Sequence, residues 1–249
     1  FEMVTYCADS SCYAETQADA KYCEKHSCCG GELTLYYWPV LGRANASMRM
    51  LAESKTPYTQ KTDFADIAQV CSGYGAKVDT YAPPVLKDGD TLISQSIPIT
   101  VHVGKRTGFD RGIPCPLKAL QYLLDGADFM AAVQPAFKSG ASLKGFMTAP
   151  GEGKLSHCDE WLNHFEGCIQ GPYYFGDRAT YVDFYLTMVF DVLNFMVFDA
   201  LGCPLTNYPK IKGVLAAIRG LESAKSVPSF PVCPREMCAT EEVIAEYKA

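Results

Sequence analysis

Residues 32–49 narrow the choice of folds more than any other stretch of this chain. Leu33-Thr34-Leu35-Tyr36-Tyr37 is a run of leucine, β-branched and aromatic side chains suited to a short buried strand. Pro39 and Gly42 cannot extend it, so a turn follows. Beyond Arg43, Ala44, Ala46, Met48, Met50, Leu51 and Ala52 favour helix, with Met48, Leu51 and Ala52 spaced onto one face. A strand that turns straight into a helix sets its last side chain beside the unpaired amides of the helix start. Such a place suits an anionic ligand.

Downstream, residues 57–62 read as a second strand. Residues 63–81 lack periodicity and hold Cys71, Gly73 and Gly75, which predicts a loop with at most a short helix. Val85-Leu86 and Leu92-Ile93-Ser94 flank Lys87-Asp88-Gly89-Asp90, whose Asp-Gly pair predicts a tight hairpin. Ser96 is placed to cap the next helix, with Pro98 tolerated in the first turn. Strand, helix, strand, hairpin and helix make a thioredoxin-like α/β order, predicting an N-terminal domain over residues 32–107.

Gly108, Gly112, Pro114 and Pro116 then read as a linker. Leu117, Leu120, Leu123, Leu124 and Ala127 are spaced for a helix, and further helices are predicted over 154–170, 181–201 and 209–220. The second domain, residues 116–227, is therefore expected to be all-α. Thr180 and Asp183 predict a capping box at the start of its most apolar helix. The proline-bearing tail, 228–249, is expected to wrap the surface.

With 249 residues, 48% hydrophobic and 20% charged, the chain can build two cores, which excludes a disordered body. A net charge of -6 leaves no basic footprint for nucleic acid or anionic lipid. The apolar run 181–202 has the length of a membrane span but carries Asp183, Asp191 and Asp199, so it reads as a buried core helix and no transmembrane span is predicted. The chain begins at Phe1, which suggests processing or truncation, and no signal or transit pattern stands in its residues.

Five of the twelve cysteines fall in the first 29 residues: Cys7, Cys12, Cys23, Cys28 and Cys29. The spacing of Cys7 and Cys12 repeats in Cys23 and Cys28, and again in Cys233 and Cys238. A segment as short as 1–31 cannot fold on apolar burial alone, so a disulfide-stapled extension is expected. That would place the protein in an oxidising compartment, secreted or in an organelle lumen. Free thiols, or a zinc site using His26, are the alternatives; the spacing fits no standard zinc module, and no metal is predicted. The extension is either a packing appendage or a tag for a partner.

Three motifs carry a family resemblance. Tyr37-Trp38-Pro39-Val40-Leu41-Gly42-Arg43 resembles the strand-end signature of tyrosine-type glutathione S-transferases, nearest the pi and sigma classes. Residues 84–96, Pro-Val-Leu-Lys-Asp-Gly-Asp-Thr-Leu-Ile-Ser-Gln-Ser, resemble the family's cis-proline, hairpin and Gln-Ser glutathione motif. Tyr174-Phe175-Gly176-Asp177 with Thr180-Tyr181-Val182-Asp183 resembles the start of its buried C-terminal helix. The resemblance covers about residues 32–227, and residues 1–31 have no counterpart in it.

It implies a thioredoxin-like domain joined to an all-helical domain, glutathione as co-substrate, a small apolar electrophile held by the helical domain, and a homodimer. It gives Tyr37 the contact to the glutathione sulfur, and Gln95 and Ser96 the glutamyl end. Arg43 is a weaker contact, and Asp128 resembles an acidic residue that reaches the neighbouring subunit's ligand. Lys77 is the nearest cation for the glycine carboxylate. The residue before the cis-proline holds the cysteinyl part through its backbone amide; here it is Pro83, which has none, so the clamp loses one hydrogen bond.

The plain readings stand beside these: Tyr37 as an ordinary strand tyrosine, Gln95-Ser96 as a helix start, Asp128 as a solvated helix face. Two functions follow. One is a glutathione transferase in which Tyr37 stabilises the thiolate; the other is a catalytically silent transferase fold, a scaffold or subunit of a larger assembly docked through its extension.

Overall fold

The computed structural model describes residues 31–40, 42–223, 227 and 238–249. The expected disulfides of Cys7, Cys12, Cys23, Cys28, Cys29 and Cys233 lie outside the described residues. Cys71, Cys115, Cys158, Cys168 and Cys203 are unbridged thiols.

Strand β1 (Leu33–Tyr36) sits inside a four-stranded sheet of order β2-β1-β3-β4. Leu33 and Leu35 face helix α1 (Asn45–Glu53), whose Ala46, Met48, Met50 and Leu51 are buried in the same core. Strand β2 (Thr59–Lys61) runs parallel to β1, while β3 (Val85–Asp88) pairs antiparallel with both β1 and β4 (Thr91–Ser94). Helix α3 (Ser96–Thr107) shares the α1 face. The other face is covered by Ile67 of the short helix α2 (Phe64–Ala68) together with Val70 and Cys71.

The hairpin is tighter than the sequence suggests, because β3 continues through Asp88 and only Gly89 and Asp90 turn, with Gly89 at φ 57°. Asp88 is fully buried. Its carboxylate takes a hydrogen bond from His102 Nε2 at 2.8 Å and another from Arg106 Nη1, both on α3. A charge in that position needs those partners.

The second domain contains α4 (Pro116–Ala136), α5 (Gly140–Met147), α6 (His157–Cys168), α7 (Tyr181–Leu193), α8 (Pro209–Arg219) and α9 (Glu241–Lys248). Every residue of α7 except Asp191 is buried, which makes it the core helix. Beyond Leu193 the helical path goes on to Leu201 as a π turn and a 3-10 turn. The three aspartates of this apolar run have separate explanations. Asp183 accepts from the Thr180 and Tyr174 amides at 2.7 and 2.8 Å and from the Thr180 hydroxyl at 2.7 Å. Asp191 joins Arg49 of α1 at 2.9 Å to Arg219 of α8 at 2.6 Å. Asp199 is exposed.

Helices α5 and α9 have no forerunner in the sequence reading. They pack together, and Glu246 of α9 accepts from the Gly140 amide at 2.8 Å. Leucine spacing gave helix α4 but not its buried side. Ala119, Tyr122, Leu123 and Gly126 face inward, whereas Leu117 is 77% exposed and Leu120 and Leu124 lie on the surface. At Gly126 a Cβ would meet Leu186 at 2.7 Å, so α4 crosses α7 where only glycine fits.

Candidate functional site

The sheet register gathers one group of residues at one end. Tyr36 pairs with Val85 and Val85 with Ser94, so the next positions along each strand, Tyr37, Pro84 and Gln95, lie abreast. Pro83 precedes a cis peptide bond to Pro84 in this row.

Tyr37 is anchored from two sides. Its amide donates to the Lys61 carbonyl at 3.0 Å, and its phenol oxygen accepts from the Arg43 amide at 2.9 Å. Alternation along the strand separates the neighbouring rings. Tyr37 enters the core shared with α1 and α7, while Tyr36 and Trp38 pack against the α2 face. Trp38 stacks there on Phe64, with ring centroids 6.3 Å apart, and meets Tyr74 edge-on. An amide hydrogen donated into the phenol oxygen draws charge toward it. That strengthens the phenol's own O–H as a donor.

The start of α3 differs from the expected cap. Ser96 is the first helical residue rather than the cap; Gln95 stands in the cap position at φ 71°, and no side chain closes the helix end. A glutamine held at positive φ is strained backbone, which persists at places the surroundings over-determine. Gln95 is exposed, whereas Ser96 is buried. Burial pushes the Tyr185 phenol of α7 up, with the nearby Ser96 hydroxyl and Arg43 charge opposing it.

Tyr37, Arg43, Pro83, Gln95 and Ser96 thus meet at one end of the sheet. Lys77 and Asp128 are not drawn into that group by any contact: both are exposed and form no ion pair among the described residues.

An open cleft of about 280 Å³ lies on the helical domain, lined by Asp125, His157, Glu160, Trp161 and His164. Its carboxylates are already engaged, Asp125 with His164 at 3.0 Å and Glu160 with His157 at 3.1 Å. No residue singled out from the sequence lines it. Among the described residues no group of three or more His, Cys, Asp or Glu converges to hold a metal ion.

Residues 151–226 match the family model described as "Glutathione S-transferase, C-terminal domain". No curated protein matches the sequence. Among solved structures, a glutathione S-transferase from Ascaris lumbricoides superposes with a TM-score of 0.61 at 17% identity, covering 80% of this chain and 99% of that one. Prostaglandin synthase D of Nilaparvata lugens gives a TM-score of 0.62 at 16% identity, covering 78% and 96%. A pi-class glutathione S-transferase of Onchocerca volvulus gives 0.59 at 17%, covering 78% and 91%. At such identities the superpositions speak for the fold, a four-stranded α/β domain followed by a helical domain, and the family model speaks for the helical part. Taken together, they give this chain the fold of those structures, with residues 151–226 matching the glutathione S-transferase C-terminal domain.

Proposed function

We propose that the chain binds glutathione at the Tyr37 end of the sheet and transfers its thiolate to small apolar electrophiles. The observation that carries this reading is the Tyr37 phenol, fixed at 2.9 Å from the Arg43 amide in the turn before α1. A free thiol is mostly protonated at neutral pH and only the thiolate attacks well. A hydroxyl aimed at the sulfur that lowers the thiol pKa by about 2 units supplies roughly 2.7 kcal/mol. The uncapped amides at the start of α3, with Gln95 beside them, suit the glutamyl carboxylate. Arg43 and Lys77 offer exposed positive charge to an anionic tripeptide.

In this reading the protein is a homodimer. The exposed Leu117, Leu120 and Leu124 of α4 suit burial by a second copy, and Asp128 on the same helix serves the neighbour's ligand. We also place the protein in an oxidising compartment, on the cysteine clustering of residues 1–31. Titration under denaturing, non-reducing conditions should then find far fewer than twelve free thiols.

Pro83 favours a second reading. It has no amide to hold the cysteinyl part of glutathione, which fits a scaffold that has lost turnover and docks into a larger assembly. Retention on immobilised glutathione and turnover of chlorodinitrobenzene separate the two. Under the enzyme reading Tyr37→Phe lowers turnover about tenfold to a hundredfold at pH 7, and the deficit shrinks toward pH 10 as the thiol ionises unaided. Wild type and variant equally inert, with the fold intact, would leave only the scaffold.

A further inference from the structure

The cleft between α4 and α6 takes no part in the proposed transfer, yet its side chains are ordered along one line. Trp161 of α6 stands between two imidazoles, with the His157 and His164 rings each 6.3 Å from the indole and steeply inclined to it. Each imidazole is bonded to a carboxylate that also lines the cleft. His157 Nδ1 donates to Glu160 Oε2 at 3.1 Å, and His164 Nε2 donates to Asp125 Oδ2 of α4 at 3.0 Å. A neutral imidazole donates without cancelling the carboxylate's charge. The second oxygens, Glu160 Oε1 and Asp125 Oδ1, have no hydrogen-bond partner among the described residues. The indole therefore lies between two negative groups, each with an acceptor to spare. Carboxylates that flank a ring, rather than converge, suit two separated positive charges joined by an apolar chain.

We propose that this cleft binds a linear aliphatic diamine, with one ammonium on Asp125, the other on Glu160 and the methylene chain across Trp161. A volume of about 280 Å³ stands at the lower limit for ligand pockets and suits a slender chain. Nothing in this inference depends on Tyr37 or on glutathione.

The chain has two tryptophans, so in a Trp38→Phe background indole fluorescence reports this cleft alone. That variant is titrated at low ionic strength with putrescine, cadaverine and hexamethylenediamine, and with butylamine as the single-charge control. At least one diamine should change the emission saturably and bind about threefold to tenfold more tightly than butylamine. Glu160→Gln should remove that advantage, while Glu152→Gln, at an exposed acid outside the cleft, should not. Calorimetry on the wild-type chain repeats the comparison should Trp38→Phe not fold. No saturable response to any diamine, diamines no tighter than butylamine, an advantage kept in Glu160→Gln, or an equal loss in Glu152→Gln overturns the inference.

Discussion

At the start of α7, the Thr180 amide and hydroxyl both donate to Asp183, and the Tyr174 amide adds a third bond to the same carboxylate. At the start of α3, no side chain caps the helix and Gln95 stands exposed at φ 71°. Both starts follow a stretch that the sequence marks as a motif, and both carry the partial positive charge of aligned peptide dipoles. The chain satisfies one of them with its own buried acid and leaves the other uncapped. The difference separates polar groups that hold the architecture from those left for something outside the chain.

If that separation is right, substitutions of enclosed groups should cost stability and spare ligand binding, and substitutions at the uncapped start should do the reverse. The largest effect is expected at Asp88. Asp88→Asn should lower unfolding free energy at pH 7 by about 3 kcal/mol, because Arg106 and His102 lose a buried partner. Burial works to raise the Asp88 carboxyl, but the hydrogen bonds and charges of His102 and Arg106 outweigh it and bring it below 3.8. Its folded pKa is thus the lower one, so its contribution is present above the unfolded value and is lost as pH falls through the folded one. Denaturant titrations should show the variant's deficit shrinking in that acid range.

Asp183→Ala should cost about 2 kcal/mol, read from the same titrations, with glutathione affinity retained. Burial pushes its carboxyl up to about 6 despite the opposing hydrogen bonds from Tyr174 and Thr180, which reverses the sign found at Asp88. The folded state takes up this proton first, so the contribution is full below 3.8 and is lost as pH rises through about 6.

Gln95→Gly should raise stability by up to about 1 kcal/mol by relieving positive φ, while weakening glutathione binding in calorimetry. The smallest effect is expected at Pro83. Pro83→Ala restores an amide and should strengthen glutathione binding about threefold, with no change in the fold by circular dichroism. A stabilised Gln95→Gly with undiminished affinity would erase the contrast between the two helix starts.

Much of this architecture was legible because it rests on local chemistry. Leu33 to Tyr37 followed by Pro39 announce a strand and its end, Asp88-Gly89 announces a hairpin, and Thr180 with Asp183 announces a cap; each depends on residues a few positions apart. Helix α4 was legible from its leucines, but its inward side was not: Leu123 turns in with Ala119, Tyr122 and Gly126, while Leu117, Leu120 and Leu124 stay outside. Helix α9 escaped notice because its eight residues bury mainly Val243 and depend on α5 for their place.

The succession of strand, helix, strand, hairpin and helix and the helical character of the second domain follow from residue spacing, because periodicity and turn preference act over one or two turns of chain. The pairing of Arg49 with Asp191 across 142 positions and the burial of Asp88 beneath α3 do not. Those arise when separately formed elements pack. A side chain's partner is then set by the space left between helices and by the need to satisfy buried charge, neither of which is written in the order of neighbouring residues.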